Sequence, residues 1–202
     1  MTAGTVNPRI PESEVDAVFV DRWSPRAFVN EPLSSEEVAS LFEAARWAPS
    51  CANEQPWLFL YARSGSDRLR FLSALNERNQ LWAKEAPLLV FACCRKNFVK
   101  TGKDNRNAAF DTGAAWMSVA LQARRLGLYA HGMAGFSVEK VYELTGLDRS
   151  LFDVMAAIAI GRHGDPQNLP DETWKNEQPS TRKPAGEVAF EGTAPSGSPA
   201  TM

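Results

Sequence analysis

The sequence predicts an α+β or three-layer domain, and three observations carry the prediction. Two runs, 88–94 (LLVFACC) and 154–160 (VMAAIAI), are apolar throughout and of strand length, as strands buried on both faces are. The chain opens with helical patterns and then mixes strands with helices, an order that lays helices against a sheet. The segment 107–126 has a helical period yet is apolar nearly all round, with Phe110, Ala114, Ala115, Met117, Val119 and Leu121. Such a helix has to be covered on most sides, and in a chain of 202 residues one available cover is a second subunit. Periodicity alone fixes no finer topology.

The first helix is expected over 12–22, opened by Glu12 or Ser13 and ended by Trp23-Ser24-Pro25, because a proline disfavours helix at the residue before it. Ser34 stands three residues before Glu37, a capping-box spacing, and Val38, Leu41, Phe42 and Ala45 then share one face until Pro49. Residues 57–62 (WLFLYA) predict a strand, and 66–76 a helix with Leu69, Leu72 and Leu75 inward. After the 88–94 strand, the 107–126 helix is closed by Gly127. A short strand near 128–131, a helix over 137–146 between Ser137 and Gly146, and the central strand 154–160 complete the order. Of the tryptophans, Trp47, Trp57 and Trp116 are expected in the core, and Trp82 either there or lining a pocket.

With 44% apolar and 23% charged residues the chain can bury one ordinary core, placed at 1–191; the Gly-, Pro- and Ser-rich end, 192–202, is expected to be disordered. A formal charge of −2 with scattered basic residues argues against a nucleic-acid surface. No stretch approaches a membrane span, and the first residues lack the basic start and apolar stretch of a signal peptide. Three cysteines, Cys51, Cys93 and Cys94, are an odd count without framework spacing, which suits a reducing cytoplasm. Cys93 and Cys94 are adjacent, so they face opposite sides of a strand as core residues rather than a redox pair.

Four loops stand out, each at the end of an element. In Arg22-Trp23-Ser24-Pro25-Arg26 two arginines either grip one anionic group or simply complement a helix end. In 48–57 (APSCANEQPW), Ser50, Asn53 and Gln55 either bind a ligand with alternating donors and acceptors or form an ordinary turn. Nothing beside Cys51 would activate a thiolate. Residues 78–87 (RNQLWAKEAP) carry Asn79, Gln80 and Trp82 toward the next strand. In 132–136, Gly132 and Gly135 either admit close approach of backbone to a planar ligand or make a plain turn. No Ser-His-Asp set and no paired carboxylates accompany these loops, so no side chain is expected to be catalytic and a cofactor carries the chemistry.

These loops, in this order, resemble the nitroreductase family of flavin enzymes. The resemblance rests on RWSPRAF (22–28), APSCANEQPWLF (48–59), NQLWAKEAPLLV (79–90), HGMAGF (131–136), AIAIGRHGD (157–165) and PSTRKP (179–184), and spans roughly 15–190. It implies an α/β/α sandwich with a mostly antiparallel central sheet, in a homodimer whose C-terminal strand crosses to the partner's sheet; 186–191 (GEVAFE), with Val188 and Phe190 alternating, is the expected strand. It implies FMN, with Arg22, Ser24, Arg26 and Arg182 holding its phosphate and ribityl chain. Pro49, Ser50, Cys51, Asn53 and Gln55 line the flavin from the other subunit, Asn79 contacts its edge, and the Met133-Ala134-Gly135 backbone lies near its reactive nitrogen. Family members often carry a second basic residue at the position of Ser180, so the phosphate charge falls to Arg22, Arg26 and Arg182. The activity implied is hydride transfer from NADH or NADPH through FMN to a nitroaromatic, quinone or similar acceptor, by a ping-pong route. The alternatives are another flavin reaction on the same scaffold, such as ene reduction or dehydrogenation, or a non-enzymatic FMN carrier or sensor.

Overall fold

The computed structural model describes residues 7–170 and 175–195. Helix α1 (Ala17–Asp21) starts later than the 12–22 pattern, because Asp16 is its cap and accepts from the Val18 N–H at 2.9 Å. A two-residue strand, β1 (Phe28–Val29), follows the Ser-Pro turn. Helix α2 (Ser35–Arg46) keeps its capping box: Ser34 Oγ accepts from Glu37 N at 3.0 Å, and Glu37 Oε2 from Ser34 N at 2.8 Å. Strand β2 (Trp57–Ala62) has the expected bounds.

The helix expected over 66–76 ends early, at α3 (Gly65–Ser73). Asn76 then caps a separate helix, α4 (Glu77–Ala83), by accepting from the Asn79 N–H at 2.8 Å. Most of the predicted 78–87 loop is therefore helical, and Leu69 faces solvent while Leu75 is buried. Strand β3 (Leu88–Arg95) and helix α5 (Ala108–Arg125) lie within a residue of their predicted ends. Gly127 closes α5 in the left-handed region (φ 73°), which lets the Leu128 N–H turn back to Ala123 O at 2.8 Å. Strand β4 (Tyr129–Met133), helix α6 (Val138–Thr145) and strand β5 (Phe152–His163) complete the domain.

All strand pairs are antiparallel, in the order β1-β5-β3-β2, with β4 also on β5. The long β5 is the hub: it pairs β3 along Phe152–Ile160, β4 at Ala157–Gly161 and β1 at Arg162–His163. Alternation on β3 sorts the core into two layers. Leu88, Val90 and Ala92 pack with Leu41, Val119 and Ile158 beneath α2 and α5. Leu89, Phe91 and Cys93 pack with Phe71, Trp82 and Val141 beneath α3, α4 and α6. The result is the α/β/α sandwich that the resemblance implied. Cys93 is a core residue, its thiol pushed up to about 12 by burial and the neighbouring Cys94.

Residues 186–191, expected to pair with a partner's sheet, form no strand in the single chain: Ala185–Glu187 is a 3-10 turn, and Val188 and Phe190 are exposed. An alternating segment without a neighbour to pair with cannot sustain a ladder. Trp47 is not core but 74% exposed, held by an indole N–H donated to Glu43 at 2.8 Å. Trp57 and Trp116 are half-buried, packed against the α2–α5 layer. Of the tail expected to be disordered, 196–202 lie outside the described residues.

Candidate functional site

A cavity of about 790 Å³ opens between the start of α4, the end of β4 and the turn that carries Arg26. Its tightest wall is Gly135. The Gly135 carbonyl accepts from Asn76 N at 2.9 Å and from Asn79 Nδ2 at 3.0 Å, which ties the loop after β4 to the cap of α4. A Cβ on residue 135 would lie 2.3 Å from Asn76 Nδ2 and 2.7 Å from Asn79 Nδ2, so any side chain there would force these amides to shift. The N–H groups of Ala134 and Gly135 find no acceptor among the described residues, and both residues line the cavity. Asn79 spends its amide N–H on Gly135, which leaves Oδ1 to face a ligand.

Trp82 and His131 also line the cavity, with ring centroids 4.7 Å apart. Trp82 thus answers both expectations at once: it is buried against the core and bounds the cavity. His131 Nδ1 lies 2.8 Å from the Pro25 carbonyl and donates to it when the ring is neutral. Burial first, and the Arg26 cation second among the lowering influences, hold this imidazole below its ordinary value against the opposing pull of Pro25 O.

The Arg26 turn is fixed from 150 residues away. Glu177, whose side chain is wholly buried, accepts at Oε1 from Arg26 N at 2.5 Å and from Ala27 N at 2.7 Å. His163 Nε2 stands 3.7 Å from the same oxygen, and Arg26 Nη1 4.0 Å from Oε2. Burial pushes this carboxyl up, but His163 and the two backbone N–H groups outweigh it and hold Glu177 below the usual carboxylate value. With its backbone held there, the Arg26 side chain lines the cavity.

Arg22 and Arg182 do not line this cavity but are electrostatic neighbours of each other. Arg9, which no motif pointed to, joins them. Its Nε donates to Ser180 O at 2.7 Å, and its Nη1 donates to Arg22 O at 2.7 Å and Val20 O at 3.1 Å. Arg182 Nη1 reaches Ser180 Oγ and Thr181 O, both at 2.9 Å. Burial, then Arg182, then Arg22 lower Arg9; burial and then Arg182 lower Arg22. Between Arg22 and Arg26, Ser24 is half-buried and its hydroxyl bonds no described residue.

The segment 49–55 is built separately. Cys51–Asn53 is a 3-10 turn, and Ala52, Asn53 and Gln55 all have positive φ (52°, 56° and 49°), which L side chains adopt only under constraint. Ser50 Oγ accepts from Gln55 N at 3.0 Å, and the buried Asp111 of α5 accepts from Cys51 N at 3.0 Å. Pro49, Ser50, Cys51, Asn53 and Gln55 do not line the cavity of their own chain. The structure therefore brings Arg26, Asn79, Met133, Ala134 and Gly135 together, puts Arg22 with Arg182, and leaves the 49–55 group apart.

Four contributors were not read in the sequence. Asn76 had a local signal, an Asn that begins a helix, but the periodic leucines before it masked the break. Asp111, Glu177 and Arg9 had none: the first two hold backbone 60 and 150–151 residues away, and Arg9 bonds carbonyls 11, 13 and 171 residues away.

The sequence model described as the nitroreductase family matches residues 20–80 and 69–162. A solved structure described as an oxidoreductase containing FMN is 42% identical, with a TM-score of 0.88 over 94% of this chain and 98% of that one. A nitroreductase so assigned from Desulfovibrio desulfuricans, solved with FMN, is 24% identical, with a TM-score of 0.70 over 91% of this chain and 100% of that one; at this identity it speaks for the fold alone. A Streptomyces coelicolor protein provisionally named NADH dehydrogenase/NAD(P)H nitroreductase is 27% identical over 72% of this chain and 78% of its own.

Proposed function

The chain belongs to the nitroreductase family, and we propose that it works as an FMN-dependent NAD(P)H oxidoreductase that reduces small electrophilic acceptors such as nitroaromatics or quinones. One observation carries the reading. A glycine whose Cβ would press on two asparagine amides, flanked by unspent backbone N–H groups and an asparagine oxygen, bounds a cavity lined by Arg26. The residues fit FMN on two counts. Arg22 and Arg182 repel each other and so favour an anion between them, as a phosphate requires. The flat, amide-edged wall at Asn79 and Gly135 suits a ring with alternating donors and acceptors.

In this account Arg22, Ser24, Arg26 and Arg182 hold the phosphate and ribityl end. Asn79 meets the ring edge, and the Met133-Ala134-Gly135 backbone faces the reactive nitrogen. Bound FMN supplies two-electron chemistry that separates the donor and acceptor halves of the reaction. The chain's own work is to bind, orient and exclude water. No side chain need be a nucleophile, and His131, held below its ordinary value by burial, packs against Trp82 in the cavity wall.

A homodimer completes the site. The α5 face opposite the core presents Phe110, 80% exposed, with Met117 and Leu121 at helical spacing, and the exposed Trp47 lies just ahead of the strained 49–55 turn. A second copy covers this face and brings Pro49, Ser50, Cys51, Asn53 and Gln55 to the flavin. The exposed Val188 and Phe190 then find a partner sheet to pair with, as the crossing C-terminal strand. The test is steady-state kinetics with NADH and NADPH against several acceptors. Parallel double-reciprocal lines are expected for a shared site used in turn; intersecting lines would contradict it, and no turnover with any acceptor would favour a flavin carrier.

A further inference from the structure

The N-terminal segment passes the end of α1 and reaches Ser180. Asn7 anchors it there through Nδ2, which donates to Val20 O at 3.2 Å and to Asp21 Oδ1 at 3.1 Å. Two residues on, Arg9 spends Nε and Nη1 on three carbonyls, those of Ser180, Val20 and Arg22. One of these, Ser180 O, also receives Arg182 Nη1 at 3.4 Å, so two guanidinium groups converge on a single oxygen. The third carbonyl belongs to Arg22 itself.

A guanidinium has five N–H donors in a rigid fork. Those on Nη2 of Arg9 bond no described residue. No described carboxylate lies within 4.0 Å of Arg9, Arg22 or Arg182. The two nearest in sequence are occupied elsewhere: Asp21 accepts from Asn7, and Glu12 accepts from the Ala185 N–H at 3.0 Å. Backbone carbonyls hold the Arg9 and Arg182 forks, and the neighbouring cations raise the cost of charging Arg9 and Arg22, so the group forms a site that an anion relieves. A helix end that needed only capping would be served by one cation.

We propose that Arg9 is a further phosphate-binding cation, which presents its Nη2 N–H groups to the FMN phosphate beside Arg22 and Arg182. The proposal rests on the FMN reading and supplies, from the opposite end of the chain, the charge that Ser180 does not. Its carbonyl bonds hold the fork in place, so little side-chain freedom is lost when the anion arrives.

Riboflavin lacks the phosphate and keeps the ring, so the ratio of FMN to riboflavin affinity isolates this contact. The measurement is fluorescence titration of flavin-free, full-length protein with each flavin, for wild type, Arg9→Gln and Arg9→Lys. Arg9→Gln should weaken FMN roughly ten- to a hundredfold, the range of one charged hydrogen-bonded contact, and leave riboflavin unchanged. Arg9→Lys keeps the charge while it loses carbonyl bonds, so it should retain most of the preference for FMN. Equal losses for both flavins in both variants would make Arg9 a structural staple and overturn the proposal. Unchanged FMN affinity in Arg9→Gln would overturn it alone, whereas wild-type protein that takes up neither flavin would overturn the FMN reading and this inference with it.

Discussion

At Gly135 a methyl group would sit 2.3 Å from one asparagine amide nitrogen and 2.7 Å from another, and both belong to the cap region of α4. Neither amide can withdraw freely, since Asn76 caps the helix through Oδ1 and Asn79 bonds the Gly135 carbonyl. Gly135→Ala should therefore cost about 1–3 kcal/mol of stability, read as a shift in urea midpoint, and weaken FMN binding as well. An alanine variant with both values unchanged would show that the contact is loose. His131 carries a pH dependence of definite sign. Burial lowers its folded pKa below the ordinary 6.5, so the unfolded chain takes up the proton more readily. Its contribution is complete above about pH 6.5 and is lost as pH falls through the lower folded value. Melting temperature should fall more steeply from about pH 7 to about pH 5 in wild type than in His131→Phe, which keeps a ring against Trp82; equal slopes would remove His131 from the account. Residues of this kind were partly legible. The two glycines and Asn79 announce themselves by type and place, but Glu177 is an ordinary glutamate in a polar stretch until the chain folds it beneath Arg26.

At the scale of elements, signals confined to a few residues were read correctly and signals that need a neighbour were not. The Ser34–Glu37 box, the apolar β3 run and the Gly127 stop act within one turn or strand, and α2, β3 and α5 begin and end where these place them. The α3–α4 break depends on what packs alongside, which no local period encodes. The 51–55 turn is the element with the clearest cost. Three of its non-glycine residues hold positive φ, and Asp111 pins its start through the Cys51 N–H. Strain kept by a buried anchor fits a segment shaped for a ligand rather than for its own stability. Ala52→Gly should relieve it and stabilise the protein by up to about 1 kcal/mol, seen in the denaturant midpoint. A destabilised glycine variant would mean that the left-handed backbone is no burden there.

For the whole molecule, the account requires two copies. One face of α5 is packed on α2 and the sheet, while Phe110 and Met117 stand out on the other, and the residues of 49–55 lie off the cavity they are expected to line. Phe110→Glu should convert a dimer to monomers in sedimentation and release flavin with it; a monomeric variant that keeps its flavin would contradict the shared site. The motifs point to both halves of the proposed site, but they could not show that Arg9 bonds Ser180, 171 residues away, or that Glu177 fixes the Arg26 turn from 150 residues away. The most direct test is the visible spectrum of protein purified without added cofactor, followed by anaerobic addition of NADH and NADPH in turn. A yellow protein whose flavin bands bleach with at least one donor is the predicted result, and it names the donor. A colourless protein that also fails to take up FMN would contradict the account at its centre.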